Sequence, residues 1–117
     1  MGECESTEFN FEIENIAVNQ EKKIYLLLVK QNDLSEPSFL LICDLESDVI
    51  LHEIQLSNIE YKDRSYNTYS KVILSPDGHY VAFSLDFLIV VYELEQLIKS
   101  FKKKPKAIFM DDIYYAK

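Results

Sequence analysis

His52 and His79 are the only imidazoles in this chain of 117 residues, so acid–base or metal chemistry near neutral pH would have to begin with them. His79 follows the glycine of Ser75-Pro76-Asp77-Gly78 and reads as a surface residue at the start of a strand. His52 stands beside Glu53 in an alternating segment. Neighbours along a strand point to opposite faces, so those two would not share a ligand. With two glycines in all, neither a Gly-x-Ser-x-Gly elbow nor a phosphate-cradling glycine loop can be built. Asp111-Asp112 is a carboxylate pair, but hydrolysis would also need a pocket and a second group. The expectation is therefore no catalytic, cofactor-binding or metal-binding residue, and no enzyme. The alternative is a small closed β-domain whose ligand-binding or catalytic pocket gathers His79, Asp77 or His52 with carboxylates.

Charge narrows the partners. The formal net charge is −8, which gives no general pull toward phosphate backbones or anionic lipid. A membrane partner is not expected and nucleic acid is disfavoured. The one basic cluster, Lys99 to Lys106, reads either as a solvated loop or as an import or phosphate contact. Cys4 and Cys43 match no metal or redox spacing, so reduced thiols in a cytoplasmic or nuclear protein are expected. Acidic residues at 3, 5 and 8 are wrong for a secretory signal, and no apolar run could span a bilayer.

Other protein chains, in a homo-oligomer or a heteromeric complex, are the expected partners. Tyr61, Arg64, Tyr66 and Tyr69 lie in a tyrosine-rich segment of mixed charge, a composition that suits protein contacts and also suits covering a sheet end. Phe109, Met110 and Tyr114 belong to an apolar segment after the lysines. It could open a further sheet or be donated to a partner's sheet edge.

The elements that would position these residues are short strands. Residues 1–8 are expected to form a flexible acidic tail. Phe9, Phe11 and Ile13 alternate with polar residues, and Ile16 to Val18 extends the run. Ile24 to Val29 and Phe39 to Cys43 are continuous apolar runs, and Val49 to Leu56 partly alternates. Together, residues 9–56 make a first β-meander. Ser57 to Tyr69 reads as a long loop. Residues 70–101 make a second meander around Ser75-Pro76-Asp77-Gly78, whose residues suit a type I turn. Residues 102–117 are a basic loop and a C-terminal strand or tail.

The chain repeats itself. Ile16 to Leu27 lies over Val72 to Phe83 at an offset of 56, and Leu40 to Glu46 lies over Ile89 to Glu95 at an offset of 49. The change of offset places a shorter loop between the second and third strands of the second copy. A fourth strand would follow each copy, at Val49 to Leu56 and at roughly Leu97 to Phe101. Four short antiparallel strands per unit is the build of a propeller blade.

The second copy resembles a WD40-type β-propeller blade. The matching residues are Leu74-Ser75-Pro76-Asp77-Gly78-His79-Tyr80-Val81-Ala82 and Val90-Val91-Tyr92-Glu93-Leu94. Tyr92-Glu93, and Cys43-Asp44 in the first copy, stand where that family has Trp-Asp. No Gly-His pair opens either unit, and Asp86-Phe87 replaces the family's Asp-Gly turn. The resemblance implies an all-β fold of two four-stranded antiparallel blades, incomplete as a ring, acting as an interaction or scaffold module. Strands apolar on both faces need cover on two sides. Two blades leave outer faces uncovered, so the chain is expected to belong to, or complete, a larger propeller.

Overall fold

The computed structural model describes residues 11–31, 37–99 and 105–110. The first sheet holds β1 (Phe11–Asn19), β2 (Ile24–Gln31), β3 (Phe39–Asp44) and β4 (Ile50–Gln55), antiparallel and in chain order. A small hairpin follows, β5 (Ile59–Tyr61) and β6 (Arg64–Tyr66). The second sheet holds β7 (Tyr69–Leu74), β8 (Tyr80–Leu85), β9 (Leu88–Glu93) and, after helix α1 (Leu94–Lys99), β10 (Ala107–Met110). β1 lies beside β7, so the two sheets stack as neighbouring blades with their first strands together.

One continuous core fills the space between them. Leu26, Leu28, Leu40 and Ile42 of the first sheet meet Val72, Val81, Phe83, Val90 and Tyr92 of the second. The alternation of each strand selects these residues: Leu26 and Leu28 share a face, as do Leu40 and Ile42. Phe83 is fully buried at the centre, edge-on to Tyr69 and Tyr92 at centroid separations of 5.5 and 6.1 Å.

The repeat extends to backbone detail. A register irregularity between Ile13 and Asn15 leaves Glu14 as an extra residue, and one between Tyr69 and Lys71 leaves Ser70. Glu14 and Ser70 are related by the same offset of 56 that aligns the sequences. The first bulge accounts for the slip of phase between Ile13 and Ile16 in an otherwise alternating run. The bond from Leu45 N to Lys23 O (2.9 Å) recurs as Leu94 N to His79 O (2.8 Å).

The Ser75–Gly78 turn forms as its residues predict. Gly78 N–H donates to Ser75 O at 2.9 Å, and the Asp77 carboxylate accepts from the Ser75 hydroxyl (2.7 Å) and His79 N–H (3.0 Å). Gly78 has φ +75°, and a Cβ there would stand 2.8 Å from the Lys22 side chain of the neighbouring blade's turn.

Two expectations are corrected. The fourth strand of the second sheet is Ala107–Met110, paired with β9, and not Leu97 to Phe101. Leu94-Glu95-Gln96-Leu97-Ile98-Lys99 is a run of good helix formers, Leu94 and Leu97 bury one face, and Glu95 favours the first turn. Ser57 to Tyr69 is not simply a loop either, since it contains the β5–β6 hairpin. Lys62 (φ 52°) and Asp63 (φ 64°) make its two-residue turn. Both central residues have positive φ, as a type I′ turn requires, but the sequence carries none of the usual Asn-Gly signal.

Candidate interaction surface

Each blade has a face turned toward the other and a face turned away. On the outward face of the first blade, Ile16 and Val18 are 54% and 52% exposed, with Leu27 and Leu41 half-buried beside them. On that of the second blade, Ile73, Ile89 and Phe109 are 61%, 45% and 58% exposed, with Ala82 and Val91 half-buried among them. These faces carry these apolar residues and are made by the same strands that build the buried core. Single exposed apolar residues are ordinary, but a contiguous set on one sheet face makes a candidate contact surface.

The structure separates the candidate residues. Arg64 is exposed at the hairpin, and Tyr61 is half-buried with Lys62 Nζ 5.4 Å from its ring centroid. Phe109 stands on the outward face of the second blade. Tyr66 and Tyr69 instead belong to the core, at 7% and 3% exposure. The Tyr69 hydroxyl donates to Ser57 O, and burial pushes its ionisation far above the usual range. Tyr114 and the side chain of Met110 lie outside the described residues, as do Cys4 and Asp111-Asp112. The outward residues of β1, β7 and β9 were not singled out from the sequence. Their signal was there in strands apolar on both faces.

The histidines are not brought together. His79 lines an open hollow of about 340 Å³ with Asp77, Tyr80, Glu93, Glu95 and Gln96, while His52 lies on β4 of the other sheet. Oδ1 of Asp77 accepts both hydrogen bonds of the turn. Among the described residues, no group of three or more His, Cys, Asp or Glu could hold a metal ion. Cys43 is free and buried, and desolvation raises its thiol pKa. No helix among the described residues is long and apolar enough to cross a membrane.

Titration of the turns gives a pH dependence. The Ser75 hydroxyl, then the His79 N–H, hold Asp77 below the usual carboxylate range, and Ser47 does the same for Asp44 through its N–H and hydroxyl. Their contribution is complete above the unfolded value of about 4 and is lost as pH falls through the lower folded values. Tyr25, which donates to Asp48 at 2.8 Å, has its pKa pushed up to about 12 by that bond first, and Tyr92 reaches about 12 through burial. Their contribution is complete below about pH 10 and is lost as pH rises toward 12. Melting temperature should therefore fall at both ends. Asp77→Asn should flatten the acid limb and Tyr25→Phe the alkaline one, as read from thermal denaturation monitored by circular dichroism.

No family model matches the sequence, and no curated protein matches it. Its fold is similar to a solved structure described as "Structure of Dos1 propeller", with a TM-score of 0.58 at 10% identity, over 84% of this chain and 21% of that one. The chain thus spans about a fifth of that propeller's length. With two four-stranded antiparallel sheets stacked blade on blade, the chain is an all-β protein of propeller-like architecture. Closed propellers use about four to eight blades, so this pair forms an arc and not a ring.

Proposed function

We propose that this chain is a non-enzymatic protein–protein interaction or scaffold module of WD40-like blades, completing or belonging to a larger β-propeller assembly in the cytoplasm or nucleus. The observation that carries the reading is the pair of outward sheet faces, apolar and exposed at Ile16 and Val18 on one side and at Ile73, Ile89 and Phe109 on the other. The stacked blades supply a rigid frame. The hairpin with Tyr61 and Arg64 offers a second, adaptable contact, and the outward faces join the frame to further β-structure. The WD40 label rests on Ser75-Pro76-Asp77-Gly78 before β8 and on Tyr92-Glu93 at the end of β9.

Site-specific photo-crosslinking in the native cell tests this. A photoreactive phenylalanine analogue is placed at position 16, at position 73, or at the exposed turn position 21 as a control. Discrete protein adducts from 16 and 73, with none from 21, are expected. Adducts missing from both faces, or equal at all three positions, would refute the proposal.

A further inference from the structure

We infer that the occupant of both outward faces is a second copy of this chain, docked head to tail, with the first blade of one copy stacked on the second blade of the next. This rests on the interaction-module reading and deepens it by naming the partner.

The argument comes from the repeat. Inside the chain, the first blade presents Leu26, Leu28, Leu40 and Ile42 to the second blade, which answers with Val72, Phe83, Val90 and Tyr92. The offsets of 56 and 49 map one blade onto the other residue by residue. They carry the exposed Ile16 and the half-buried Leu27 and Leu41 onto Val72, Phe83 and Val90, which the internal interface already buries. They also carry Ala17, Leu26, Leu40 and Ile42 onto Ile73, Ala82, Ile89 and Val91. These last four, with Phe109, are the apolar part of the second blade's outward face, where Leu28 maps onto Ser84.

The fourth strands follow the same rule. Ile54 pairs with Leu40, and Phe109 pairs with Ile89. The outward face of the first blade is thus the counterpart of a surface that this chain buries against a blade, and the outward face of the second is the counterpart of the surface that buries it. Each exposed face is the partner type of the other, so stacking two copies continues the internal interface by one more step.

Such a contact is heterologous and closes into a ring when the rotation per step allows. At two blades per chain, a closed propeller takes about two to four copies. The net charge of −8 on each copy opposes assembly, so added salt should strengthen it, the reverse of an interface held by ion pairs.

The full chain is measured by size-exclusion chromatography with light scattering, at about 50 μM and in low and high salt. The expected mass is an integer multiple of 13.7 kDa, with tighter association in high salt. Ile16→Asp spoils one face and Ile73→Asp the other, and each variant alone should run as a monomer. Mixed in equal amounts, they should form a dimer and nothing larger, because each supplies the face that the other lacks. That rescue also shows that both variants are folded.

A wild-type monomer at about 50 μM in high salt, a single variant that still dimerises through like faces, or a mixture that stays monomeric while both variants give native circular dichroism would each overturn the inference. If either variant fails to fold, the purified chain carrying the photoreactive analogue at position 16 decides. A two-copy adduct joined within β7 to β10 supports the docking. Adducts to other proteins in cells, with a purified chain that does not crosslink to itself, sink the self-docking and leave the interaction module standing.

Discussion

Phe83→Ala should lower the free energy of unfolding by about 3–5 kcal/mol, the range for removing a buried aromatic ring from a core that cannot collapse around the gap. Phe83 has no exposed surface and stands between Tyr69 and Tyr92 on the face that the second blade turns to the first. The two tyrosines meet its ring edge-on, at interplanar angles of 88° and 73°, so truncation also removes two favourable aromatic contacts. Domains of this size are stable by about 5–15 kcal/mol, so the change would remove a large share of the total.

The loss should not stay local, because the core between the blades is one cluster. Hydrogen exchange should speed up in β2 and β3 as well as in β8 and β9. Urea denaturation at one fixed protein concentration measures the size of the effect. Ile73→Ala, which trims a similar apolar side chain from the outward face, should cost less than about 1 kcal/mol when both variants are compared in an Ile16→Asp background that keeps the chain monomeric. Equal costs for the two would mean that the sheets do not meet at Phe83.

That contrast also marks what could be read from the sequence. The two meanders, their repeat and the Ser75-Pro76-Asp77-Gly78 turn were legible because each depends on local chemistry: alternation, a proline with fixed φ, and a glycine at positive φ. The β5–β6 hairpin was hidden because Lys62-Asp63 adopts its turn without the residues that announce one; burial of Ile59 and Tyr66 holds it in place. The fourth strand of the second blade was misplaced for a similar reason. An apolar run beginning at Leu94 fits a strand or a helix, and the packing of Leu94 and Leu97 decides for the helix.

The candidate surface was half-legible. Tyrosine composition pointed to residues 61–69, but composition does not separate a ring that covers a core from one that faces a partner. Tyr66 and Tyr69 do the first. The outward faces follow from strands apolar on both sides, yet which side the partner blade covers is a property of stacking and register, which no single strand encodes.

Asn19→Ala is the second change expected to have a large effect, about 2–3 kcal/mol, and it acts through polar atoms at the junction of the two blades. Asn19 is 5% exposed at the end of β1. Its amide nitrogen donates to Ser75 O (3.1 Å) and Pro76 O (3.0 Å) of the other blade's turn, and its amide oxygen accepts from Lys22 N–H (2.7 Å). One side chain thus closes its own turn and ties it to the neighbouring one. Alanine removes three bonds worth about 1 kcal/mol each and leaves two carbonyls and an N–H without that partner.

Asn15 makes a lesser bridge, accepting from Val72 N–H at 3.0 Å, so Asn15→Ala should cost about 1 kcal/mol. Asn19→Asp is the sharper experiment. The carboxylate can still accept from Lys22 N–H, but it turns a negative oxygen toward the two carbonyls in place of a donor. At pH 7 it should destabilise at least as much as alanine. The unfavourable contact raises the folded pKa of that carboxyl, so stability relative to wild type should recover as pH falls through it and protonation restores a donor. Denaturant titrations of wild type, Asn19→Ala and Asn19→Asp at pH 7 and near pH 4 would show this. An aspartate tolerated at pH 7 would mean that the amide does not donate across the junction, and that apolar packing and the Asn15 bridge hold the two blades in register.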